Sequence, residues 1–146
     1  MNGLHYIEHQ SKSLKKEHFT HLVKIALADG KVDNSEHELL QKFGKKLNLT
    51  EQEVESLISA PGKTTFHPPY HLSERFDQIY DIVKLILVNG NASPESMRIA
   101  NCYVVAAGFE ISEADKLIHF LVKGIKEGKE EDELLSEYRT IRLKID

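Results

Sequence analysis

The stretch from His21 to Val54, HLVKIALADGKVDNSEHELLQKFGKKLNLTEQEV, decides the fold, because it holds a helix end, a capped turn, a second helix and the start of a third. Leading into it, Phe19, Leu22, Val23, Ala26 and Leu27 recur at i, i+3, i+4, i+7 and i+8, the apolar stripe of an amphipathic helix over Lys16 to Ala28. Gly30 stops that helix, since a glycine just past the last turn takes the left-handed conformation without a steric penalty. Asp33-Asn34-Ser35-Glu36 has the form of a capping box, in which Asp33 accepts from the first-turn backbone and Glu36 reaches back. The helix it opens runs to about Leu47 and offers Leu39, Leu40, Phe43 and Leu47 to a core, with Gly44 placed for a close helix contact. Thr50 and Glu53 repeat the box and start a short helix carrying Val54, Leu57 and Ile58.

Working outward, residues 1 to about 14 carry Leu4, Tyr6 and Ile7 but no cap or sustained period that predicts an element. Residues 60–73 form a connection: Pro61-Gly62 and Pro68-Pro69 break helical patterning, Phe66, Tyr70 and Leu72 are its large apolar side chains, and the aromatics are expected to pin it to the surface. Ser73 precedes a helix with Phe76, Ile79, Tyr80, Val83, Ile86 and Leu87 at helical spacing, ended by Asn89-Gly90. Ser93 as N-cap and Pro94 at the first position open the next one. That helix is apolar nearly all round, which predicts a central position, with Cys102 as a small buried hydrophobe. Gly108 ends it. Ser112-Glu113 opens another through Ile125, and beyond Gly128 an acidic-led helix over about 130–143 docks through Leu134, Leu135, Tyr138 and Ile141.

An internal repeat runs through this pattern. LVKIALADG at Leu22 to Gly30 matches IVKLILVNG at Ile82 to Gly90, aligning Val23 with Val83, Lys24 with Lys84, and Leu27 with Leu87. No segment alternates with period two. The expected fold is all-α: one domain over 1–146, a bundle of about seven helices built from two pseudo-repeated three-helix units, 16–59 and 74–126, with a C-terminal helix.

Composition narrows the function classes. With 146 residues, 40% hydrophobic and 29% charged, the chain reads as one soluble globular domain. A net charge of −4 without a basic cluster argues against nucleic acid, including a helix-turn-helix DNA binder. The apolar run Ile99 to Phe109 is too short to span a bilayer, which needs about 20 residues. No signal-peptide core precedes it, and a single cysteine favours a reducing compartment, so a cytoplasmic location is expected.

The order of apolar helix, Ala28-Asp29-Gly30-Lys31-Val32-Asp33, Glu36 with Leu39 and Leu40, and Leu49-Thr50-Glu51-Gln52-Glu53 resembles the tellurite-resistance TerB-like superfamily. The resemblance implies a helical domain linked to chemical stress, in which acidic residues of this loop bind metal. Carried onto this chain, it makes Asp29, Asp33 and Glu36 the candidate ligands, and their oxygen donors suit a hard cation such as Ca²⁺ or Mg²⁺. The loop is not an EF-hand, because Lys31 stands where that loop needs an oxygen donor. The second copy of the repeat has Asn89, Ser93 and Ser96 at the matching positions, so a helix junction of this kind does not need three carboxylates. Asp33 and Glu36 are equally accounted for as the two ends of a cap, whereas Asp29 lies at a helix C-terminus, where the macrodipole disfavours an anion.

The histidine pairs His18/His21 and His5/His9 have helical spacing but no third metal ligand, and read as surface residues. HExxH, CxxC, a phosphate-binding glycine loop and a nucleophile elbow are absent from the sequence. The charged run from Lys126 to Glu133 reads as solvated helix ends. Two function classes follow. One is a non-enzymatic TerB-like module acting through divalent metal binding, a protein partner or both; the other is a metal-dependent hydrolase using the acidic loop.

Overall fold

The computed structural model describes residues 3–63, 66–88 and 93–145, with side chains at 12–28, 30–63, 66–88 and 93–141. Among these residues the regular structure is all helical: α1 (Gly3–Ala26) runs into a single 3-10 turn (Leu27–Asp29), followed by α2 (Asn34–Lys46), α3 (Glu51–Ser59), α4 (Leu72–Leu87), α5 (Pro94–Ala106), α6 (Ile111–Lys126) and α7 (Glu131–Ile145). Three of the caps written in the sequence form as read. Asp33 Oδ1 accepts from Glu36 N at 2.8 Å while Asp33 N donates to Glu36 Oε1 at 3.1 Å. Thr50 and Glu53 make the same reciprocal pair, and Ser93 caps α5 ahead of Pro94.

The bundle is organised around α4, which packs against α1, α2, α5, α6 and α7. Phe76, Ile79, Ile82, Val83 and Leu85 are all buried, so most of the surface of this helix is covered, with Glu74 and Lys84 left exposed. Phe19, Leu22 and Val23 of α1, Leu40 of α2, Leu117, Ile118 and Leu121 of α6 and Leu134 of α7 close over it. Each such side chain removed from water stabilises the fold by about 1.5–3 kcal/mol before entropy is counted. Gly44 lets α2 and α3 approach: a Cβ there would overlap Val54 Cγ2. Gly124 does the same for α6 and α7, under Leu134.

Several expectations are corrected. The first helix starts at Gly3, not near Lys16, so the segment before residue 14 belongs to α1 from there on. α4 opens at Leu72 behind His71 and α6 at Ile111 behind Glu110, neither with a side-chain cap, instead of at Ser73 and Ser112. α5 is not central. It packs chiefly against α4 and α6, burying Ser96, Ala100 and Val104 while Val105 and Cys102 are exposed. Apolar composition sets what a helix can bury; its neighbours set what it does bury, and α5 has them on one side only. The stop expected at Asn89-Gly90 lies outside the described residues.

The connection between α3 and α4 is pinned as expected at Phe66, whose ring meets His21 at 5.3 Å and Tyr103 at 5.5 Å between centroids. Beside it, His67 donates from its backbone N and from Nδ1 to the two oxygens of Glu17, at 2.6 and 2.8 Å. Tyr70 does not pin the segment, since it is 88% exposed.

Candidate functional site

In the middle of its apolar surface α4 carries two aspartates, Asp77 and Asp81, one turn apart and therefore on one face. Asp81 is fully buried, and a carboxylate there needs partners, because removing a charge from water costs several kcal/mol. Two arrive from different helices. His18 of α1 places Nε2 at 3.1 Å from Asp81 Oδ2, and Lys46 of α2 donates from Nζ to Asp81 Oδ1 at 2.9 Å. Lys46 also donates to Asp77 Oδ1 at 2.7 Å and lies 3.6 Å from Oε1 of Glu131, the first residue of α7.

The local sequence fixes these positions. Lys46 is the last residue of α2, and the chain turns immediately afterwards through Asn48, whose φ of 61° is the left-handed conformation of a helix C-terminal cap. Leu49 N then returns to Gly44 O at 2.8 Å, so the turn bearing Lys46 is locked. Glu131 follows a Gly128 cap at the end of α6, where its carboxylate also favours the positive end of α7.

One carboxylate oxygen each from Asp77, Asp81 and Glu131 lie within 4.8 Å of one another, close enough to hold a metal ion. The charges do not balance, for three carboxylates face one ammonium and one imidazole in a partly dry site. Glu131 is pushed up to about 8, by burial first and then by its hydrogen bond to Asp77. Burial also pushes Asp77 upward, but the Glu131 hydrogen bond and the Lys46 ammonium outweigh it and hold Asp77 below the ordinary carboxylate range. Two carboxyl groups this close disfavour being charged together, so the cluster favours a shared proton, and the upward shift falls on Glu131. Burial works against the charge on Lys46, but Asp81 and Asp77 overcome it and raise this lysine above its usual value. A lysine serves the cluster, whose oxygen donors are of the kind that could hold a hard divalent ion.

Asp33 and Glu36 of the first loop are not members of this cluster. Asp33 and Glu36 are brought together by their cap, and Glu36 is buried. The side chain of Asp29 lies outside the described residues. The reading of His18 and His21 as surface residues is overturned, for they are 3% and 4% exposed, the first beneath α4 and the second between Phe66 and Tyr103. The side chains of His5 and His9 lie outside the described residues. The solvated reading of Lys126 to Glu133 fails at Glu131, whose side chain is only 25% exposed.

Sequence reasoning missed Asp77, Asp81, Lys46 and Glu131. A signal existed for Asp81, an aspartate set between Tyr80 and Ile82 in a helix wide enough in its apolar face to be enclosed. Lys46 and Glu131 had none, since a lysine and a glutamate at helix ends are ordinary surface residues. No protein-family model, no curated protein and no solved structure matches the chain. Among the described residues no helix is long and apolar enough to cross a membrane.

Proposed function

We propose that the chain is a non-enzymatic, TerB-like stress-response module of the tellurite-resistance kind, working in the cytoplasm through uptake of a divalent cation and contact with a protein partner. The cation, of the Ca²⁺ or Mg²⁺ class, is taken by Asp77, Asp81 and Glu131, with Asp33 and Glu36 serving as a cap. The observation that carries this reading is the charge shortfall at the cluster: three carboxylates with oxygens within 4.8 Å of one another face one ammonium and one imidazole. A divalent ion relieves that shortfall, displacing the proton and loosening Lys46. On this reading α1–α3 and α4–α6 are two copies of one three-helix unit, with the seat formed where the copies and α7 meet.

The non-enzymatic part rests on how the groups are engaged. His18 and Asp81, the pair with the chemistry of a general base, are buried against each other. A cleft of about 410 Å³ between α6 and α7 and one of about 170 Å³ beside Arg75 are lined by none of the five cluster residues. The test is calorimetric titration with Ca²⁺ and Mg²⁺, together with thermal melting in chelator and in millimolar cation, on wild type and Asp81→Asn. Binding heat and a raised Tm in wild type, reduced in the variant, support the proposal. Absence of both in wild type refutes the cation reading.

A further inference from the structure

We draw no further inference here: the strongest candidate, the half-apolar groove between α6 and α7 lined by Phe120, Gly124, Leu134, Glu137 and Ile141, carries nothing because no feature of the structure shows what covers it.

Discussion

Asp81 accepts a hydrogen bond from Lys46 at 2.9 Å, and that contact joins the fully buried centre of α4 to the last residue of α2. His18 occupies the other oxygen of the same carboxylate, so one aspartate ties three helices together. A buried charge held this way adds little net stability compared with an apolar residue, yet it is costly to break, because the Lys46 ammonium left behind stays charged and partly dry.

Replacing Asp81 with alanine is therefore expected to destabilise the protein by about 3–5 kcal/mol, more than a typical surface substitution. Urea unfolding of the two proteins measures this. A loss under about 1 kcal/mol would mean that Asp81 is not the buried junction of α1, α2 and α4.

Stability is expected to depend on pH through Glu131. Its folded value is raised from 4.5 to about 8, so the native state binds the proton more tightly than the unfolded chain does. The associated stability is fully present below pH 4.5, and it is lost as pH rises through about 8. Asp77 acts in the opposite sense: its depressed value contributes stability above its ordinary value of 3.8, and that contribution disappears as pH falls through the folded value. Unfolding midpoints in chelator at pH 5, 6.5 and 8.5 are expected to fall in wild type and to fall less in Glu131→Gln. Parallel curves for the two proteins would remove the shared proton from the account.

Lys46 and a divalent ion compete for the same oxygens. Lys46→Met is expected to weaken the metal-free protein by about 3–5 kcal/mol, since it leaves the fully buried Asp81 carboxylate with His18 as its remaining partner. The same change raises affinity for Ca²⁺ or Mg²⁺ by about tenfold or more, because a unit charge at contact distance repels a cation by several kcal/mol at protein-like dielectric. Titration of both proteins reads the ratio. Equal affinities would show that the ion, if bound, sits elsewhere.

The first loop is expected to respond as a cap. Asp33→Ala removes the acceptor for Glu36 N and costs about 1 kcal/mol. On the cap reading this cost is the same in chelator and in millimolar cation. A cost that appears only with cation present would restore Asp33 and Glu36 as ligands.

Gly44→Ala sets two effects against each other. Alanine is favoured over glycine inside a helix by up to about 1 kcal/mol, but the added methyl overlaps Val54 Cγ2, and overpacking costs about 1–3 kcal/mol. A net loss near 1 kcal/mol is expected, and at least as much at Gly124→Ala, where both Cδ atoms and Cγ of the fully buried Leu134 stand in the way. Thermal melts rank the two. A stabilised Gly44→Ala protein would show that α2 and α3 are less closely packed than described.

What the sequence determined is local in physical origin. The boxes Asp33/Glu36 and Thr50/Glu53, the Ser93-Pro94 start, and the stops at Gly30, Gly108 and Gly128 each depend on a few neighbouring residues, so their spacing alone specifies them. The helical period likewise placed Val83 in the core, where it is 1% exposed. Tertiary structure decided which apolar faces are covered and which charges meet. It covered most of α4 and left one side of α5 to solvent, although both helices are strongly apolar, because coverage depends on the number of neighbours a helix receives. It also drew together His18, Lys46, Asp77, Asp81 and Glu131 from four helices. No periodicity encodes that meeting, since the cost of burying a carboxylate is offset only when partners far away in the chain arrive beside it.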